Sequence, residues 1–211
     1  MPADPVQFSD EELAHLQERD FFYTRKAIRG KLRGLMSALR EELLPLCEDS
    51  AGWLVPEGVD TAVGQLAGGE YYRDLPYVYL DMPKHFSRDA TFTFRWMAWW
   101  GHYIFFAFIS QGPTMALHTE RLLEAWDAFS AQGLLIAQSE DLWDWRAEPG
   151  IVMPIEEGHR EAASVLLARC PFLKLMRVLP FDDPIVSERR VLDEAVAFFT
   201  LLKPLFAAKD P

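Results

Sequence analysis

Residues 91–111 read TFTFRWMAWWGHYIFFAFISQ and form the most β-like part of the chain. Residues 91–96 alternate polar and aromatic side chains, a period of two that predicts a strand with one face in water. From Trp99 onward the segment is apolar on both faces, which is typical of a strand buried on both sides. Gly101 allows either one bent strand or a hairpin of two strands, 91–100 and 102–110, and both remain open.

Helices are predicted at both ends of the chain. Ser9 and Glu12 form a capping-box pattern at the start of a helix over residues 10–19. A second helix carries a stripe of apolar residues spaced four, three, four and four apart, and we expect Pro45 to end it. The stripe consists of Ile28, Leu32, Leu35, Leu39 and Leu43. At the other end of the chain, Ser187 is expected to cap the last amphipathic helix.

The middle of the chain is predicted to be rich in strands. Residues 50–75 contain many glycines and are expected to form a loop with one helical turn near residues 59–66. Further strands are expected at residues 77–80, closed by Pro83, and at 134–137 and 172–179, with helices after Pro113 and at 157–168.

These elements predict an α+β fold, because the strands do not alternate one for one with long helices. We expect a single compact domain over residues 1–211 in which N-terminal and C-terminal helices flank a central, mostly antiparallel sheet. Residues 1–8 are expected to be a loose N-terminal tail.

Charge and hydropathy argue against several partners. The chain has 211 residues and a formal net charge of −11, which disfavours nucleic acids and anionic lipid surfaces. The longest apolar run, residues 96–109, is shorter than the roughly 20 residues of a membrane-spanning helix. No signal-peptide pattern begins the sequence, so a cytoplasmic location is expected. Cys47 and Cys170 match no metal or redox motif and are expected to be inert buried thiols.

No cofactor or metal motif is present, and none is predicted. The sequence contains no phosphate-binding glycine motif, no nucleophile elbow and no zinc-protease motif. Two Glu-x-x-His pairs, Glu12 with His15 and Glu156 with His159, have the spacing of di-iron ligands on facing helices. Gly158 argues against one helix carrying both Glu156 and His159, and the strand-rich centre argues against a helical bundle.

An aromatic belt is the first candidate site; its candidate ligand-binding residues are Arg95, Trp96, Trp99, Trp100 and Tyr103. On a straight strand Arg95, Trp99 and Tyr103 share one face, and Trp96, Trp100 and His102 share the other. The belt is consistent with a packed core or with a pocket wall that stacks a ligand while Arg95 binds its anionic group. Arg95 is the feature that favours the pocket.

His102 and His159 are candidates for acid–base chemistry. His102 lies in an apolar segment and would be a general base oriented by Asp81 or Glu70. The alternative is a hydrogen-bonded histidine in the core. Whether the chain is an enzyme stays open.

Two charged segments complete the candidates. The basic stretch, residues 25–33, has five cations and no acid, and it is either a ridge for an anion or partner or a solvated helix flank. The acidic segment, residues 139–150, carries Trp143 and Trp145, which form either an exposed docking surface or a satellite core.

Two parts of the chain resemble a known family. The first is Phe21-Phe22 followed by Arg25-Lys26-Ala27-Ile28-Arg29 and the leucine stripe. The second is FLKLMRVLPFDDPI at residues 172–185, followed by a helix that ends in LLKPLF at residues 201–206. This layout resembles the YktB-type family of bacterial proteins and covers about a third of the chain. The resemblance implies a compact α+β domain and transfers no binding or catalytic residue.

The sequence therefore favours binding over catalysis. We expect a small anionic or aromatic ligand, or a protein partner, to bind an aromatic pocket that contains Arg95. The alternative is a small acid–base enzyme that uses His102 or His159 with a nearby carboxylate. The sequence does not indicate the oligomeric state.

Overall fold

One antiparallel sheet forms the centre of the molecule in the computed structural model, which describes residues 7–48, 50 and 52–208. Its strands are β1 (Gln65–Tyr72), β2 (Leu75–Phe86), β3 (Thr91–Trp99), β4 (Tyr103–Gln111), β5 (Leu135–Ala137), β6 (Val152–Pro154) and β7 (Phe172–Pro180). Their order across the sheet is β1-β2-β3-β4-β7-β5-β6, with every pairing antiparallel.

The helices lie before, between and after the strands. They are α1 (Asp10–Gln17), α2 (Arg19–Glu48), α3 (Met115–Glu124), α4 (Trp126–Ser130), α5 (Arg160–Leu167), α6 (Pro184–Ser187) and α7 (Val191–Leu202), followed by a 3-10 turn at Lys203–Leu205. The expected α+β fold, with a central antiparallel sheet flanked by N-terminal and C-terminal helices, is confirmed. Residues 7 and 8 are exposed and lie outside any helix, whereas residues 1–6 of the expected tail lie outside the described residues.

Gly101 forms the turn of a hairpin, so the alternative with two strands is correct. Trp99 pairs with Tyr103, and the His102 amide donates a hydrogen bond to the Trp99 carbonyl at 3.2 Å. Gly101 has a φ of 73°, a left-handed conformation that glycine adopts without the steric penalty of a side chain.

The expected loop at residues 50–75 is wrong in its last third, which is β1. No helical turn occurs at residues 59–66. Gly68 sits so close to β2 that a Cβ atom would lie 2.6 Å from the Tyr77 carbonyl oxygen. The glycine that suggested a loop therefore permits the close approach of two strand backbones.

Two prolines do not end their elements as expected. β2 continues past Pro83, and the pairing register shifts between Asp81 and Lys84, so the missing proline N–H falls at an irregularity in the ladder. Pro45 lies inside the last turns of α2, which continues to Glu48. Cys47, two residues beyond Pro45, is buried in the core, and this packing holds the final turn in place.

The expected caps have different outcomes. The capping box of α1 is confirmed, because the Glu12 amide donates to the Ser9 hydroxyl and the Ser9 amide donates to the Glu12 carboxylate. Ser187 does not cap the last helix; it is the final residue of α6. Asp183 caps α6 by accepting a hydrogen bond from the Ile185 amide, and α7 begins only at Val191.

The two faces of the sheet have different covers. Helices α2, α3 and α7 pack on the first face around Phe94, Trp96 and Phe198. The second face holds a smaller core that includes Trp99 and is covered by the acidic segment. The expected wet face of residues 91–96 is therefore wrong: Thr91 and Thr93 are buried.

Candidate functional site

Arg95 lies on the second face of the sheet and is bound by an internal carboxylate. Register places Asp81 of β2 directly opposite Arg95 of β3. The guanidinium donates two hydrogen bonds to Asp81, Nε to Oδ1 and Nη2 to Oδ2, both at 2.7 Å. Burial raises the pKa of the Asp81 carboxyl, and the hydrogen bonds from Arg95 act against that rise.

Three aromatic rings surround the Arg95 guanidinium. Its Cζ atom lies 4.4 Å from the ring centroid of Tyr79, 4.8 Å from that of Trp143 and 5.1 Å from that of Trp145. These are distances at which a ring attracts a cation. Arg95 therefore links β2, β3 and the acidic segment, an arrangement called the Arg95 clamp below. The edge of its guanidinium that could bind an anion through two hydrogen bonds is already occupied by Asp81.

A second buried cation, Lys174 of β7, fastens the acidic segment to the sheet. Its ammonium donates to the Leu142 carbonyl at 3.0 Å and to the Asp144 carbonyl at 2.6 Å, and it lies 4.7 Å from the Trp145 ring centroid. Burial lowers the pKa of Lys174 to about 8. Lys174 was not among the candidates, because its partners are backbone atoms some 30 residues away in sequence.

Two tyrosines complete the attachment of the acidic segment. Tyr72 donates to the Trp143 carbonyl and accepts from the Trp145 amide. Tyr103 donates to the Trp145 carbonyl and accepts from the Ala147 amide. Burial raises the pKa of Tyr103 to about 12. Of the two interpretations of the tryptophans in this segment, Trp145 is satellite core, while Trp143 stays partly exposed beside Arg95.

The structure separates the residues of the aromatic belt. Arg95, Trp99 and Tyr103 share the second face as expected, although a hairpin replaces the straight strand, whereas His102, expected on the face of Trp96, stacks on Trp99. Trp96 is buried in the first face, where its indole N–H donates to the Met82 carbonyl at 3.4 Å. Trp100 lies in the hairpin turn and lines an open cleft. The belt is therefore not one pocket, and Trp100 is its only member in the cleft.

Apolar side chains form most of the lining of this cleft, which has a volume of about 700 Å³. It lies between α2, the β3–β4 turn and the residues around α6. Its apolar walls are formed by Ile28, Leu32, Leu35, Trp100, Ile104, Phe181, Val186 and Val191. The apolar stripe of α2 thus continues beyond the core and leaves one flank open to solvent.

The charged residues that line the cleft are both cations, Lys31 and Arg189. Both are exposed, and neither has an ion pair or a side-chain hydrogen bond within residues 7–48, 50 and 52–208. Arg189 has a φ of 62°, a left-handed conformation that costs a side-chain-bearing residue about 1–2 kcal/mol. Such strain persists where surrounding structure enforces it and is concentrated at functional sites.

His102 is neither a core histidine nor oriented by a carboxylate. It is exposed in the hairpin turn and stacks on Trp99, with ring centroids 3.5 Å apart. Asp81 binds Arg95, and Glu70 binds Arg25 and Arg29 of α2. Both expected orienting partners are therefore engaged elsewhere.

His159 does lie near a carboxylate. Its Nδ1 is 3.2 Å from the Pro154 carbonyl oxygen and 3.8 Å from Glu156 Oε2, on the surface at the start of α5. No group of three or more potential metal ligands occurs among the described residues. Acid–base chemistry at His159 stays a prediction that rests on this single exposed pair.

A serine–histidine pair that sequence reasoning missed lies in the first core. Ser110 Oγ and His118 Nδ1 are 2.7 Å apart, and His118 Nε2 is 2.7 Å from the Leu54 carbonyl oxygen. Because a carbonyl only accepts, Nε2 carries the proton and Nδ1 accepts from Ser110. Burial lowers the pKa of His118 to about 4. Both residues are fully buried, so the pair braces β4, α3 and the loop at Leu54.

The two cysteines differ in their surroundings. Cys47 is buried, as expected, and burial raises the pKa of its thiol to about 12. Cys170 is only half-buried, so the expectation of two buried thiols is wrong for this residue. Burial nevertheless raises its pKa as well.

Among the described helices, none combines the length and the apolar character needed to cross a bilayer. No family model matches the chain, and no curated protein or solved structure matches it. The resemblance to the YktB-type family stays a prediction.

Proposed function

We propose that this chain binds a small ligand with an apolar body and an anionic group, and that the ligand occupies the cleft beside Trp100. The observation that carries the proposal is a cleft with apolar walls whose lining also contains two cations, Lys31 and Arg189, that have no ion-pair partner in the described part of the chain. The class of ligand is the one expected from the sequence, but the anion-binding residues are Lys31 and Arg189 in place of Arg95.

The size and chemistry of the cleft support this ligand class. A volume of about 700 Å³ is within the range of small-molecule sites, which are mostly apolar with a few convergent polar groups. Trp100 offers a flat indole for stacking against a ring or an alkyl chain. The Arg189 guanidinium presents a fork of donors that matches a carboxylate or a phosphate, and Lys31 adds a second positive charge.

The test compares two fluorescent probes that differ by one charge. Anilinonaphthalene sulfonate carries an aromatic body and an anionic group, and N-phenyl-1-naphthylamine is the same body without the sulfonate. The wild-type chain is expected to bind both. The double variant Lys31→Glu/Arg189→Glu is expected to bind the sulfonate at least about tenfold more weakly, because each charge-assisted hydrogen bond contributes about 1.5–3 kcal/mol. Its affinity for the neutral probe should be unchanged.

A matched control changes the net charge by the same amount elsewhere. Arg88 and Arg169 are exposed, and neither lines the cleft. Arg88→Glu/Arg169→Glu should keep wild-type affinity for both probes. Equal loss of sulfonate binding in the two double variants would show that overall charge alone is responsible and would overturn the proposal, as would a wild type that binds neither probe.

A further inference from the structure

The N-terminal arm, defined as residues 8–23, carries large apolar side chains that touch no core. α1 has no buried residue. The exposed apolar residues of the arm are Phe8, Leu13, Leu16, Phe21, Phe22 and Tyr23. Phe21, Phe22 and Tyr23 are each more than half exposed, at 53%, 53% and 69%. So dense a group of exposed aromatic and aliphatic residues marks an interaction surface.

Charge is divided sharply along the arm and the helix that follows it. Residues 10–18 contain four acids and no lysine or arginine. The basic stretch at residues 25–33 contains five cations and no acid. These two segments are complementary to each other.

The basic stretch presents a stripe on the side of α2 away from the cleft. Phe22, Lys26, Arg29 and Arg33 recur at spacings of four, three and four, so they share one helical face. Arg29 is held by Glu70, whereas Lys26 and Arg33 have no ion pair within the described residues. Lys31 lies on the opposite side of the helix and lines the cleft. The stripe is thus separate from the proposed ligand site.

The acidic and basic segments of one chain cannot meet. α1 ends at Gln17 and α2 begins at Arg19, so Glu18 alone joins them. Two antiparallel helices need a loop of about 2–5 residues to pack against each other. With a single connecting residue, α1 projects away from residues 22–33 of its own chain.

We propose that the arm docks on a second copy of this chain, with the acidic α1 of each protomer against the stripe of Phe22, Lys26 and Arg33 on the other. A two-fold axis makes this contact twice, because in such an interface the same surface patch serves both partners. Leu13 and Leu16, three residues apart on α1, meet the aromatic residues at the start of α2. Charge complementarity selects a second copy of this chain.

The experiment measures mass by sedimentation velocity at about 100 µM and low salt. The wild type is expected to be a dimer that dissociates at high salt, since its charge contacts are at the surface. Lys26→Glu/Arg33→Glu and, separately, Asp10→Lys/Glu12→Lys should each dimerise at least about tenfold more weakly. An equimolar mixture of the two variants should form a heterodimer, because the reversed charges become complementary again.

Two further variants separate this proposal from other effects. Leu13→Ser/Leu16→Ser leaves the capping box intact and should also be monomeric. Lys31→Glu/Arg189→Glu should remain a dimer, which distinguishes this inference from the ligand site. A monomeric wild type, a dimer that survives reversal of Lys26 and Arg33, or a mixture that fails to associate would each overturn the proposal.

Discussion

Replacing Asp81 by asparagine tests whether the Arg95 clamp stabilises the fold. The Asp81 side chain is 1% exposed and that of Arg95 is 12% exposed, so the pair is shielded from water. Asp81→Asn keeps the shape and one acceptor oxygen but removes the negative charge. Arg95 is then a buried cation without a counter-ion.

The magnitude follows from burial and from what remains around Arg95. Removing one partner of a buried ion pair costs about 3–5 kcal/mol, because the other charge is left uncompensated. The rings of Tyr79, Trp143 and Trp145 continue to attract the guanidinium. We therefore expect a loss at the lower end, about 3 kcal/mol of unfolding free energy.

Urea unfolding followed by far-ultraviolet circular dichroism provides the measurement. Asp81→Asn should shift the midpoint to lower urea with an unchanged slope, since the surface exposed on unfolding is the same. Asp81→Val/Arg95→Met should recover most of the loss, because an apolar pair needs no counter-ion.

The control is Glu188→Gln, which breaks an exposed pair with Arg190 at 2.8 Å. That pair should contribute less than about 1 kcal/mol. If Asp81→Asn costs no more than Glu188→Gln, the Arg95–Asp81 pair does not stabilise the fold and the reasoning is refuted.

Three more predictions concern buried groups and one tight turn. The pKa of His118, lowered from 6.5 to about 4, predicts that wild type loses about 3 kcal/mol of unfolding free energy relative to His118→Gln as pH falls from 6.5 to 4. The unfolded chain takes up the proton first, so urea midpoints at the two pH values should diverge; parallel curves would contradict this. The pKa of Lys174, lowered from 10.5 to about 8, predicts that wild type gains stability relative to Lys174→Met as pH rises from 8 to 10.5, where only the unfolded lysine still binds its proton. Thermal unfolding at pH values across this range measures whether the stability of wild type relative to Lys174→Met rises. Gly112→Ala should cost several kcal/mol, since φ is 92° and a Cβ would lie 2.5 Å from the Asp89 carbonyl oxygen. Gly133 has a φ of 63°, and a Cβ added there would meet no heavy atom within 4 Å, so Gly133→Ala should cost only about 1–2 kcal/mol of unfolding free energy. Equal losses for the two variants would show that the close contact at Gly112 is unimportant.

Local sequence patterns predicted the elements that depend on contacts between residues close together in the sequence. The alternation of residues 91–96 predicted β3, and the capping box at Ser9 predicted the start of α1. β1 was missed because Gly68 and Gly69 suggest a loop, whereas their lack of side chains is what admits Tyr77 of the neighbouring strand.

Contacts between distant segments explain most of what the sequence did not predict. The face of Arg95 was expected to be wet because the acidic segment, some 50 residues later, leaves no trace in the local pattern. Asp81 was considered as a partner for His102, but pairing register places it opposite Arg95. The aromatic surface that made Trp100 a candidate lines the cleft. The cleft around it forms only when α2 and the residues near Arg189 approach the hairpin turn.

The attachment of the acidic segment has a consequence for hydrogen exchange. Tyr72, Tyr103 and Lys174 hold this segment through side chains, whereas β3 and β4 are held by a continuous ladder of backbone hydrogen bonds. Backbone amides of residues 139–148 should therefore exchange through local opening, while those of the central strands exchange only on global unfolding. Each such opening uncovers Arg95 and Lys174 on a molecule of net charge −11. Local opening would thus expose the Lys174 ammonium and the Arg95–Asp81 ion pair to solvent while the central sheet stays folded.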